Sequence, residues 1–322
     1  MNCAIGLDLG GTNIKYALVD EKGSVLYDSL KPTGANGSRD EVINNLEDCV
    51  LEIIEWAEFK DLEILGVGIG TPGVIDNGLV LGGAENLPDW ESLPLGGILS
   101  RRLNLPVRVD NDANLMGLAE ARYGSAKGTS DVIFLTIGTG VGGAMVLNGN
   151  LYGGHRNRGA ELGHIIVDCD GEECSCGAKG CLEAHASTTA LIRDYKALLK
   201  GKKRKDIEKI DGKIIISQFH QNEECAVKAM NMHFDYLAKG IAGYINIFSP
   251  QKIIIGGGIS EAGDFYVDNI KTRAMSLAMK ETSVFTQIEA AALGNKAGFL
   301  GAAALVFDQS TEQNLENKVT LK

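Results

Sequence analysis

The sequence predicts a two-domain α/β protein with two similar halves, and three observations predict it. A glycine-rich turn between two apolar runs occurs near the N-terminus and again well down the chain. Between and beyond these turns, the apolar spacing switches between strand and helix periods. The 322 residues are enough for two ordinary domains with a large core, and 44% hydrophobic residues with 41 glycines is the profile of a soluble α/β protein.

The first apolar run, about residues 3–9, breaks at Gly10-Gly11-Thr12 and resumes from Asn13 to Val19, which reads as strand, turn, strand. Helical spacing follows from about Asp40 to Phe59, with Val42, Ile43, Leu46, Val50, Ile53 and Ile54 on one face. A strand at Ile64–Ile69 and a short one at Val107–Val109 come next, the latter ending in Asp110-Asn111-Asp112. Val132–Ile137, Gly138-Thr139-Gly140 and Val141–Val146 repeat the opening hairpin. Helices are expected near Thr188–Leu199, Glu223–Phe248 and Ala297–Phe307, and a strand at Lys252–Ile255 runs into Gly256-Gly257-Gly258. The expected small domain is residues 1–117 completed by the helix at 296–308; the large domain is 118–295, and 309–322 is a polar, frayed tail.

Bulk properties exclude several classes. A net charge of −11 opposes a nucleic-acid or anionic-membrane surface. No apolar run reaches membrane-spanning length and no basic leader opens the chain. The basic run Lys200, Lys202, Lys203, Arg204 and Lys205 reads as a solvated loop between helices. Seven cysteines, three of them clustered, fit a reduced cytoplasm better than a disulfide framework. Cys3, Cys49, Cys169 and Cys225 read as small packing residues.

The most specific segment is Glu161-Leu-Gly-His164 followed by Cys174-Ser-Cys176 and Cys181-Leu-Glu183. One imidazole and three thiols complete a tetrahedral zinc set with no position left for water, so the metal would be structural. Glu161 and Glu183 flank it, and ionised carboxylates suit a polyhydroxylated ligand because each accepts several hydroxyl hydrogen bonds. The turns at Gly10-Gly11-Thr12-Asn13 and Gly138-Thr139-Gly140 read as anion nests, glycine giving clearance and positive φ. Asp8 is placed to hold magnesium through water, and Gly256–Gly258 offer a flat surface for a purine. Together these read as one ATP site shared between the halves. Asp112, following a buried strand, is a candidate general base projecting into an interdomain cleft; the competing role is a helix N-cap.

Asp8-Leu-Gly-Gly-Thr12, Gly70-Thr-Pro-Gly73, Asp110-Asn-Asp-Ala-Asn114, Gly138-Thr-Gly140, Glu161–His164, the cysteine cluster and Gly256–Ser260 together resemble the ROK family of repressors, uncharacterised reading frames and sugar kinases. The resemblance runs from residue 3 to about 307 and implies the actin-like ATPase (duplicated ribonuclease H-like) fold with an interdomain cleft. It implies Asp112 as base, and Asn111, Glu161 and Glu183 as sugar ligands. Asn86 is a further sugar candidate, and His164 would use one ring nitrogen for zinc and the other for sugar. The expected activity is ATP-dependent phosphorylation of the 6-hydroxyl of glucose in the cytoplasm by a homodimer. A kinase of N-acetylglucosamine or N-acetylmannosamine is the near alternative. A sugar-responsive repressor is the distant one, since no helix-turn-helix precedes the first strand. Arg156 and Arg158 read as exposed loop residues.

Overall fold

The structure is a computed structural model that describes residues 1–200 and 209–320; Lys202, Lys203, Arg204 and Lys205 lie outside the described residues. It divides into two compact units. The first comprises Met1–Gly128, Asn150–Ala160 and Leu293–Lys322, the second Thr129–Gly149 and Glu161–Ala292.

In the first unit, strands β1 (Asn2–Leu9), β2 (Asn13–Asp20), β3 (Val25–Pro32), β4 (Glu63–Thr71) and, after a small hairpin of β5 (Val74–Asp76) and β6 (Leu79–Gly82), β7 (Val107–Asn111) form the elements. The main sheet runs β3-β2-β1-β4-β7. β2 is antiparallel to β1 and β3, whereas β1, β4 and β7 are parallel. Alternation along β1 sends Cys3, Ile5, Leu7 and Leu9 to the face covered by helix α1 (Arg39–Phe59). Ser38 caps that helix by accepting from the Glu41 N–H at 3.2 Å. Its Val42, Ile43, Leu46, Val50 and Ile53 are buried, each worth roughly 1.5–3 kcal/mol of apolar transfer. Helix α2 (Leu95–Leu103) extends the same face.

The opposite face takes the C-terminal helix, Ala297–Thr320, whose Phe299, Leu300 and Ala303 cluster with Ala4, Ala17 and Val19. The approach is backbone to backbone. A Cβ on Gly6 would lie 1.9 Å from the Phe299 carbonyl oxygen, and one on Gly68 1.8 Å from that of Ala302. Helix α3 (Asp112–Arg122) packs beside it, and Arg122 clasps Asp308 through Nε at 3.1 Å and Nη2 at 2.8 Å. The tail expected to fray from residue 309 is helical to Thr320; no Gly or Pro interrupts 308–320.

In the second unit, β8 (Val132–Ile137) and β9 (Val141–Leu147) form the antiparallel hairpin that repeats β1 and β2. β10 (Lys252–Gly256) lies parallel to β8, and β11 (Gln287–Ala290) parallel to β10. Helices α4 (Leu182–Ala186), α5 (Thr188–Leu198), α6 (Gly212–His220), α7 (Glu224–Phe248) and α8 (Asp264–Leu277) also belong to the unit, with one further turn of helix at Lys280–Ser283. Cys3, Cys49 and Cys225 are buried as expected, but Cys169 is exposed. No helix among the described residues is long and apolar enough to cross a membrane.

Gly68→Ala is expected to lower stability by about 1–3 kcal/mol or more, because helix backbone and not a yielding side chain meets the new methyl group. Chemical denaturation compared with wild type checks this; an unchanged midpoint would show that the helix shifts freely.

Candidate active site

The first glycine turn is held from behind. Thr33 donates through Oγ1 to the Gly10 carbonyl at 2.6 Å and through its backbone N–H to the Thr12 carbonyl at 2.9 Å. A trans peptide points its N–H opposite its carbonyl, so the N–H groups of Gly11 and Asn13 face the other way. The second turn uses the same device. The Thr188 N–H donates to the Gly138 carbonyl at 2.8 Å and Thr189 Oγ1 to that of Thr139 at 2.7 Å, which directs the N–H groups of Thr139 and Gly140 outward. The expectation that these glycines need positive φ does not hold. Among the described residues of the three turns, only Gly257 is left-handed, at φ +92°. Clearance is the reason instead: a Cβ on Gly11 would meet Asn86 Nδ2 at 2.9 Å, and one on Gly140 would meet Glu183 Oε2 at 2.3 Å.

The third run is not a uniform flat surface either. A Cβ on Gly256 would press on the Phe134 ring at 3.0 Å and one on Gly257 would strike Ile137 backbone at 2.2 Å, so both glycines serve packing. Gly258 alone of the three faces open space. It lines a cavity of about 400 Å³ with Gly138 and Thr139, walled by Ile137, Ile192, Ile216 and Ile259 and including Lys213. The size and the apolar walls suit a purine nucleoside. Ile192, Ile216 and Lys213 are lining residues that sequence reasoning missed. The one signal for them was the cap Asp211 at the start of α6, which accepts from the Ile214 N–H at 2.8 Å.

At the end of β7 the capping question is settled by geometry. Asn111 is the N-cap of α3: its Oδ1 accepts from the N–H groups of Ala113 at 2.9 Å and Asn114 at 3.2 Å, and its Nδ2 donates to the Gly73 carbonyl at 3.0 Å. Asp112 is therefore the first helical residue, with one oxygen accepting from the Ala113 N–H. Burial raises its carboxyl above the usual range against that hydrogen bond. Asp110, also buried, is raised by burial too, while hydrogen bonds from Asn114, the Asn111 N–H and Asn157 oppose the shift. Asp8 is pushed up to about 6 by burial, opposed by Lys15 with Nζ 4.0 Å from Oδ2, and the charge of Asp112 adds to the rise.

The metal-ligand set is brought together. His164 Nδ1 lies 3.6 Å from Cys174 Sγ, Cys176 Sγ lies 3.7 Å from Cys181 Sγ, and all four donors sit within 4.8 Å of one another. Zn–S bonds of about 2.3 Å and Zn–N bonds of about 2.0 Å give tetrahedral edges of about 3.5–3.8 Å, so the donors fit zinc. Nδ1 faces the thiols, which leaves Nε2 for another partner. Gly163 lets the Glu161–His164 turn lie flat on β9, since a Cβ there would sit 1.9 Å from the Val141 carbonyl oxygen. Glu161 is exposed at the head of this turn. His185, given no role from sequence, braces the loop: its Nε2 accepts from the Glu172 N–H at 3.2 Å and its ring stacks on Tyr236.

Glu183 joins loop to turn. Oε2 accepts from the Val141 N–H at 2.9 Å, directly after the second glycine turn, and Oε1 from Ser175 Oγ at 3.2 Å, between two of the thiol ligands. A carboxylate has about four acceptor positions, so capacity for a hydroxyl remains.

Arg156 and Arg158 are exposed, as expected of loop residues, but they are not merely solvated. Both reach the buried Asp76, Arg156 at 2.8 Å and Arg158 at 3.8 Å. Between them Asn157 donates to the Ile75 carbonyl and to Asp110 Oδ1, contacts that no spacing in the chain announces.

A profile of the ROK family matches residues 4–309. The chain belongs to the ROK family. Among ROK relatives, a glucokinase from Thermotoga maritima is 37% identical over 311 residues, 94% of this chain and 96% of that protein. A xylose repressor from Bacillus subtilis is 28% identical, the match covering 95% of this chain and 77% of the repressor. The crystal structure of a ROK hexokinase from Thermus thermophilus superposes with a TM-score of 0.84 at 29% identity, covering 96% of this chain and 99% of that one. That of a ROK family glucokinase from Streptomyces griseus, in complex with glucose and AMPPNP, gives 0.78 at 33% identity, covering 94% and 98%. The two sheets, each opened by a glycine-turn hairpin, form the actin-like ATPase fold of the ROK sugar kinases.

Elemental analysis is expected to find one zinc per chain, and none in Cys176→Ser. Through Glu183, loss of the metal should weaken binding of a non-hydrolysable ATP analogue as well as of sugar. Unchanged analogue affinity in the zinc-free variant would break the proposed link between loop and turn.

Proposed function

We propose that this ATP-dependent sugar kinase is a glucokinase, moving the γ-phosphoryl group of ATP to the 6-hydroxyl of glucose. The observation that carries the reading is the division of labour at the end of β7: Asn111 caps α3, which frees Asp112 to act as base. The 37% identity to a glucokinase, and the likeness to a glucokinase structure with glucose and AMPPNP, support ATP and glucose as substrates.

A sugar hydroxyl is too weak an acid for Asp112 to ionise beforehand. The carboxylate orients the hydroxyl and takes its proton late in a loose transition state. Asn111 has one amide hydrogen left to offer the sugar; Glu161, Glu183 and His164 Nε2 are the other hydroxyl partners, with Asn86 beside the first turn. The outward N–H groups of Gly11 and Asn13 and of Thr139 and Gly140 hold phosphate oxygens, and the cavity beside Gly258 takes the adenosine. Asp8 would hold a magnesium ion, which supplies charge neutralisation on the phosphates when bound. The zinc set is closed, so its part is to fix the loop bearing Glu183 and His164.

Asp112→Asn should lower turnover by about two to four orders of magnitude with sugar binding retained. Because burial raises this carboxyl, its ionised form destabilises the folded state at neutral pH. The amide should therefore melt at the same or a higher temperature at pH 7 and show no gain below the usual carboxylate range. For the same reason kcat/KM should fall on the acid side with an apparent pKa above the ordinary 3.8 of aspartate. Wild-type turnover in the variant would remove Asp112 from the mechanism.

Coupled ADP release across glucose, mannose, fructose, allose, N-acetylglucosamine and N-acetylmannosamine tests the substrate. Glucose should show the highest kcat/KM. Preference for an N-acetylhexosamine would overturn the glucose assignment, and sugar binding without ADP release would point to the repressor side of the family.

A further inference from the structure

We infer that residues 152–160 form a positioning strap for the base loop, with Asn157 holding Asp110 and, through it, Asp112. The inference rests on the reading of Asp112 as base. Asn157 Nδ2 bridges the Ile75 carbonyl at 3.0 Å and Asp110 Oδ1 at 3.2 Å. The same oxygen of Asp110 accepts from the Asn111 N–H at 2.7 Å and from Asn114 Nδ2 at 2.9 Å. One buried carboxylate oxygen thus ties the strap to the cap of α3 and to the helix's first turn, on either side of Asp112 in sequence.

The strap is built to resist slackening. Arg156, Asn157 and Ala160 all lie in the left-handed region, at φ 56°, 55° and 64°. Backbone of that kind persists only where its surroundings hold it. The Gly159 N–H donates to the Gly153 carbonyl at 2.7 Å and closes the loop at its base. Gly153 also leaves room for the Asn157 amide, since a Cβ there would fall 1.7 Å from its Oδ1. On either side of Asn157, the two arginines converge on Asp76, which is 6% exposed and follows Ile75 in β5. A buried carboxylate held by two cations makes each loosening of the strap expose an unpaired charge. Asparagine at the centre is the residue this site needs: it tolerates the left-handed backbone and supplies two amide hydrogens for two acceptors.

The decisive variant is Asn157→Gly, which keeps the left-handed backbone free of strain and deletes only the amide. It should lower kcat about 10- to 100-fold while KM and the Kd for glucose, read by calorimetry, change less than about threefold. Removing both exposed arginines, Arg156→Ala with Arg158→Ala, should lower kcat in the same direction without unfolding the chain and serves if the glycine variant does not fold. A residue of purely structural value would instead lower the melting temperature and the active fraction, leaving kcat per sugar-binding site intact. Wild-type kcat per site in either soluble variant, alongside an inactive Asp112→Asn, overturns the strap but leaves the base. Full turnover in Asp112→Asn strikes the underlying reading instead.

Discussion

The first unit is organised by how closely its C-terminal helix lies on the sheet. Gly6 and Gly68 admit the helix backbone onto β1 and β4, and on the helix itself Gly301 admits α3, where a Cβ would fall 1.8 Å from the Leu115 carbonyl oxygen. Gly298, in the first turn, leaves space for the Asp8 carboxylate, whose Oδ2 a Cβ would approach to 2.5 Å. One rigid element therefore touches the strand carrying Asp8 and the helix opened by Asp112. The relative placement of the two acids is set by backbone contacts, which yield far less than side chains do. A residue near the end of the chain thereby governs geometry at its beginning.

In the second unit the same kind of economy uses a carboxylate. Glu183 sits between the thiol-bearing loop and the glycine turn and accepts a hydrogen bond from each. The loop has little apolar surface of its own, and its donors converge to edges that match a zinc tetrahedron. A zinc ion held there would order the loop, and Glu183 would pass that order to the turn beside the cavity at Gly258. A sugar hydroxyl reaching Glu183 would join a network already anchored at both ends.

Much of this was legible in the sequence, and what was not has physical reasons. The hairpins, α1, α7 and the Cys/His set carry strong periodicity or unambiguous ligand chemistry, so local information was enough. Helix α6 escaped notice because it is short and follows a highly charged run, and α8 because its buried face is only Tyr266, Val267, Ile270 and Ala274. The turn glycines were legible by position but not by cause. Clearance from Asn86, Glu183 or a strand backbone is a tertiary fact, whereas φ is the local one that sequence suggests. Asn157 lay beyond sequence reasoning altogether. Its partners, Ile75 and Asp110, are about eighty and fifty residues away, and no spacing rule joins them.

The acids of the first unit also show what the site costs the fold. Asp8, Asp110 and Asp112 are each pushed above the usual carboxylate range by burial. The folded chain thus keeps these protons to higher pH than the unfolded chain does, and stability falls as pH rises through that window. For Asp8, held at about 6, the ionised form at neutral pH costs the fold about 3 kcal/mol. That cost is already net of the attraction of Lys15 at 4.0 Å, which is more than a third exposed and therefore screened. A structure optimised for stability alone would place amides at such positions. Under the proposed function the penalty has a use, since phosphoryl transfer draws on charges fixed before the substrates arrive, in a medium where they act with little screening.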